Sequence, residues 1–201
     1  MSNEISNFGD HAEVTMQTSA IGSESMGIAG HYHVVCRDAD GNIKWEEEFP
    51  NLVNAVGKQL MLDTLLSGSS YTTVGPFLGL ISGASPTFAA ADTMTSHGGW
   101  TEFTNYTVGG SAVRGTASFS AATSSGTTPT NVTTKTASAI TYTITGAGGT
   151  VGGCFLVTGT GASSTQSNTS GTLYSAGAFA TAKITTSGDT VSVTYSTTAT
   201  S

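Results

Sequence analysis

Between His31 and Phe49 the chain alternates apolar and polar residues on either side of a short polar interruption. HYHVVCRD, ADGN and IKWEEEF predict a strand, a turn and a strand, a β-hairpin over residues 31–49. Asp40-Gly41 supplies the positive φ angles that a tight hairpin turn demands. Successive strand side chains point to opposite faces, so Ile43, Trp45, Glu47 and Phe49 share one side and Lys44, Glu46 and Glu48 the other. The apolar side is expected on the core, with Glu47 at its edge or paired.

Pro50 ends the second strand. Asn54 is placed to cap a helix over residues 55–66, in which Val56, Leu60, Met61 and Leu65 recur at helical spacing, and Gly68 closes it. Beyond Tyr71 the pattern contains only strands and loops. Strands are predicted at residues 77–81, 101–108, 113–120, 139–145, 151–158, 172–179 and 190–196, separated by Gly/Ser-rich turns such as GGS, GAGG and TSGD. Short strands at that spacing, with no fixed-period repeat and no heptads, predict a mainly β fold. The expected architecture is an antiparallel β-sandwich or jelly-roll-like domain over residues 31–201 with one short helix. Residues 1–30 are polar and acidic without periodicity and are expected as an extended N-terminal arm.

Composition sharpens this picture. Charged residues are 9% of the 201, against roughly 25% in an average soluble domain. Past Phe103 only Arg114, Lys135, Lys183 and Asp189 are charged. Enzymes acting on charged substrates and nucleic-acid-binding domains both need convergent ionisable groups, which this half lacks. The net charge of −7 disfavours nucleic acid and anionic membranes as partners. The N-terminus lacks the basic and apolar regions of a signal peptide, and no run of about 18 apolar residues occurs, so synthesis and folding in a cytoplasm are expected. Cys36 and Cys154 lie in apolar, strand-like runs and are either buried free thiols or an inter-strand disulfide.

Candidate chemistry is sparse. His31 and His33, two apart on a strand, face the same side and could clamp a metal at a three-fold axis, but the sequence offers no obvious third ligand. No metal and no cofactor are therefore expected, with His31 and His33 the candidates if there is one. Asp38-Ala-Asp40-Gly-Asn42 imitates the opening of a calcium loop without its closing Glu, and a hairpin turn explains the same letters. Asp92, Ser96 and His97 could be cast as a catalytic relay, but adjacent Ser and His diverge on most backbones and no nucleophile elbow surrounds them. Glu46, Glu47 and Glu48 read as solvated strand charges, and GAGGTVGG lacks the Lys of a phosphate cradle. Loops around Trp100, Tyr106 and residues 163–170 could stack and hydrogen-bond a glycan. No catalytic residue is expected. Contacts with a protein partner are expected to concentrate before Asn54, at Glu4, Phe8, Asp10, Glu13, Glu46 and Glu48.

Two segments, GHYHVVCRDADGNIKWEEEFPNLVNAVGKQLMLDTLLSG and FLGLISGASPTFAAADTMTSHGGWTEFTNY, with the later VGGCFLVTGTG, LYSAGAFA and GDTVSVTYS, jointly resemble a group of small tailed-bacteriophage virion structural proteins. The resemblance spans residues 30–195 and brings no catalytic residues. It implies a non-enzymatic virion component made in the host cytoplasm, first of all a capsid decoration, or cement, protein on the outside of the head. The implied partners are the major capsid protein or another virion protein, together with further copies of the chain as a homo-oligomer, expected as a trimer. A neck or tail adaptor or fibre-associated protein is the alternative, and a receptor- or glycan-binding module the third.

Overall fold

In the computed structural model, residues 27–66, 74–121, 123–125 and 132–200 are described. The hairpin forms as its alternation dictates: β1 (Gly27–Arg37) buries Tyr32, Val34 and Cys36 and turns into β2 (Ile43–Pro50). Of the two turn residues only Gly41 takes a positive φ, 87°. Asp38 does the rest, its Oδ1 accepting the Asp40 and Asn42 amides at 3.0 and 2.8 Å. A bulge beside Lys44 pairs Arg37 with Ile43 and Cys36 with Trp45. Opposed residues share a face, so Ile43 follows Arg37 outward and is 52% exposed, not in the core as the alternation alone predicts.

β1 pairs along its whole length with β13 (Thr190–Thr200), from Gly27 opposite Thr200 to Arg37 opposite Thr190. The strand therefore starts at Gly27, and the boundary expected at residue 30 moves back, because β13 runs to Thr200 and its backbone takes residues 27–30 as partners. Beyond β13 lie β10 (Ile140–Ile144) and β6 (Tyr106–Thr107), completing the first sheet in the order β2-β1-β13-β10-β6. β9 (Val132–Thr136), which the pattern does not predict, pairs the distal half of β13 and carries β8 (Thr123–Ser125). The second sheet runs β3 (Leu52–Val53), β12 (Thr172–Thr185), β11 (Gly149–Thr158), β4 (Phe77–Ser82) and β5 (Thr101–Phe103), with β7 (Gly115–Thr116) also on β4.

The two antiparallel sheets form a β-sandwich. Their facing sides meet in one core that includes Tyr32, Phe49, Leu80, Tyr142, Leu156 and Val193. Two buried hydroxyls cross it, Tyr32 to Ser175 Oγ at 3.0 Å and Tyr142 to the Leu78 carbonyl at 2.8 Å. The outer side of the second sheet is covered as well: Ile81, Phe155, Val157 and Leu173 pack there against Met94, Trp100 and Ala162 from the 83–100 and 159–171 loops. Burial on both faces explains why β11 reads as an unbroken apolar run rather than an alternation.

Both sides of the sandwich are closed by chain that changes sheet. β2 passes through Pro50-Asn51 into β3, and β5 through Thr104-Asn105 into β6. The single strand predicted over 101–108 is thus two, with Asn105 pinned by its Nδ2 donating to the Gly148 carbonyl at 2.8 Å. The strand predicted over 113–120 shrinks to Gly115–Thr116 plus isolated bridges at Val113 and Phe119.

The helix α1 (Ala55–Leu66) lies on β12. Asn54 starts it through its backbone carbonyl, which accepts the Gly57 and Lys58 amides at 3.1 Å. Its buried side chain does not cap: Nδ2 donates to the Ala89 and Asp92 carbonyls and ties the 83–100 loop to the helix start. Gly57 permits the close approach, since a Cβ there would lie 2.7 Å from the Tyr174 carbonyl oxygen. Val56, Leu60 and Met61 are half-buried, while Leu62 and Leu66 are exposed. Gly68 lies outside the described residues.

Candidate functional site

Sheet chemistry places one cluster of ionisable side chains on an open surface. On β1 the residues between the core positions, His31, His33 and Arg37, face outward, and on β2 Glu46 and Glu48 do the same. His33 Nε2 lies 2.7 Å from Glu46 Oε1, and His31 Nδ1 lies 3.7 Å from Glu48 Oε1. Four of the predicted site residues are thus neighbours, two histidines on one strand and two glutamates on the next. Across the same face, β13 and β10 present Ser192, Thr194, Thr141 and Thr143, hydroxyls without charge. Glu4, Phe8, Asp10 and Glu13 lie outside the described residues.

Three further opposite-charge pairs are structural. Glu47 faces inward at the sheet edge and is paired, its Oε2 2.8 Å from Lys183 Nζ and its Oε1 accepting the Ala180 amide at 2.6 Å. Lys44 reaches Asp189 at 2.6 Å. Burial pushes the Asp189 carboxyl up, but the Lys44 ammonium and the Thr186 amide and hydroxyl outweigh it and the net shift is downward. Arg114 and Glu102 form a bidentate pair at 2.9 and 2.7 Å, 1% and 6% exposed. The guanidinium also donates to the Ser163 and Asn168 carbonyls and lies over the Phe155 ring, while Glu102 accepts the Ser167 amide at 2.7 Å. This pair fastens the 159–171 loop to β5.

Around it sit the residues that could have formed a relay or a sugar platform. His97 Nδ1 donates to the Trp100 carbonyl at 3.1 Å and its ring stacks on Trp100 at 3.9 Å. The Asp92 carboxylate accepts the Ala89 amide. His97 and Asp92 therefore face separate partners, and the arrangement stabilises loops. The glycan loops do converge, since Gln166 Nε2 donates to the Tyr106 carbonyl. Their aromatic faces are spent on packing, with Trp100 5% and Tyr106 0% exposed, so neither offers a stacking platform. Cys36 and Cys154 are both buried and free. Burial pushes the Cys36 thiol up to about 11 and that of Cys154 higher still, which keeps both protonated and unreactive.

One feature escaped sequence reasoning altogether. Where α1 meets the parting sheets, Leu60, Met61, Phe119, Leu156, Tyr174 and Tyr195 line an apolar groove of about 370 Å³. No local pattern reports it, because its walls come from several segments of the chain. No helix among the described residues is long and apolar enough to cross a membrane. Comparison with protein-family models, curated proteins and solved structures found no match.

Proposed function

We propose that the protein is a non-enzymatic bacteriophage virion component, and specifically a capsid decoration protein that binds the outside of the assembled head. The observation that carries this reading is the distribution of charge: Arg114, Lys183 and Asp189 are locked to Glu102, Glu47 and Lys44, while the His/Glu cluster of β1 and β2 faces outward. Such a surface recognises another protein face rather than turning over a small molecule. The sequence resemblance over residues 30–195 points the same way. Many copies on a particle gain grip by multivalency, so shallow contacts suffice for each. Residues 1–26 lead into β1 and supply Glu4, Phe8, Asp10 and Glu13 as the arm, with the major capsid protein as partner and homo-oligomers, trimers in this reading, as the docking unit.

The test is truncation before Gly27. Removing residues 1–26 spares every pair of β1 with β13, whereas a cut at residue 30 would strip four. The truncated protein is expected to keep its melting transition and to lose co-sedimentation with purified heads. Undiminished co-sedimentation would sink the arm mechanism.

A further inference from the structure

We propose that the groove beside α1 is a binding site for one neutral amphiphile of medium chain length. Leu60, Met61, Phe119 and Leu156 hold its hydrocarbon part, and its single oxygen accepts a hydrogen bond from the Tyr174 hydroxyl. At about 370 Å³ the groove lies within the roughly 300–1,000 Å³ of small-molecule sites. It is also more than twice the size of the roughly 150 Å³ apolar cavity that takes up benzene. Its walls are set by the core itself, with α1 lying on β12 and with Leu156 on β11 and Tyr195 on β13 buried in the sandwich.

Tyr174 supplies the polar contact. It is 9% exposed and lines the groove, yet its one hydroxyl hydrogen has only poor acceptors, the Met61 sulfur at 3.5 Å and Thr197 Oγ1 at 3.4 Å. An O–H···O bond ordinarily closes to about 2.7–2.8 Å, and a thioether accepts weakly. The neighbouring hydroxyls are already spent on backbone, Thr197 donating to the Ala29 carbonyl at 3.2 Å and Thr64 to the Leu60 carbonyl at 2.7 Å. A buried donor held this poorly gains from a better acceptor. Burial also pushes the Tyr174 phenol up, with the Thr197 contact opposing it only in part, so the group remains a donor.

Charge fixes the ligand class. No charged side chain among the described residues lines the groove. A carboxylate or an ammonium would enter without a counter-ion, and an unpaired charge in an apolar site is costly. A pure hydrocarbon would leave Tyr174 with its two poor acceptors. A neutral molecule with one acceptor oxygen on an apolar body satisfies both conditions. The site stands independently of the virion reading.

The experiment is calorimetric titration of the full-length chain with 1-octanol at neutral pH, with octanoate as the charged contrast. One octanol per chain is expected to bind with a Kd on the order of 100 μM. Octanoate should bind at least about tenfold more weakly. Tyr174→Phe keeps the ring and removes the donor, and is expected to lower octanol affinity about three- to tenfold. Thr64→Phe sets a ring into the groove from α1 and should abolish uptake, with circular dichroism melts establishing that both variants are folded. Octanoate binding as tightly as octanol, or a folded Tyr174→Phe variant matching the parent, would overturn the site. So would a parent chain that takes up no octanol at its solubility limit, the result expected if a second copy or another segment of the chain fills the groove.

Discussion

Asp189 sits among Lys44 Nζ, the Thr186 amide and the Thr186 hydroxyl, and its role is legible in its acidity. A carboxyl whose folded pKa lies below its unfolded value stabilises the fold above about pH 3.9 and loses that contribution as pH falls through the folded value. Asp189→Asn removes the charge and strands the Lys44 ammonium. At neutral pH the variant is expected to be less stable by about 1–3 kcal/mol. The gap to the parent should narrow as pH drops from about 5 to 2, measured by urea melts across that range. A gap that stays constant would show that the Lys44 pair contributes nothing through charge. Lys183 and Arg114 make the same point from the other sign: with Asp189 they draw on Glu47, Glu102 and Lys44, all from before residue 104. Three of the four charges beyond Phe103 are thus staples between the two parts of the chain.

Among the elements, the Arg114–Glu102 pair has the largest structural reach, because it joins β5, the strand-poor stretch before β7 and the 159–171 loop. Arg114→Met leaves Glu102 buried with only the Ser167 amide and the Tyr106 hydroxyl, and is expected to cost about 3–5 kcal/mol. Adding Glu102→Leu removes the stranded charge, and the double variant should recover more than half of that loss in equilibrium unfolding. A double variant no better than the single would place the cost in packing instead. The sequence pattern reached the hairpin, α1 and most long strands, because period-two alternation and helical spacing report which face is buried. It failed where burial is decided by distant chain. The Lys44 bulge turns Ile43 outward without altering the alternation, and Thr104-Asn105 divides one alternating run between two sheets. VTTKT has no apolar alternation at all and becomes β9 through its pairing with β13. The site followed the same rule: the two histidines were visible as a pair, but their glutamate neighbours required the register of β2.

For the whole molecule, the consequence is a division between its two sheets. The second sheet is buried on both sides, by the central core and by the loops bearing Met94, Trp100 and Ala162. The first keeps an open face, histidine- and glutamate-bearing toward β2 and hydroxyl-bearing over β13 and β10. That face is open to meet a neighbour. Copy number tests the decoration reading most directly. In particles purified from cells that express the gene, quantitative gel or mass-spectrometric analysis should find the chain at a stoichiometry comparable with the major capsid protein. Its absence from the particle, or its presence only at the low level of a neck or tail part, would contradict the account.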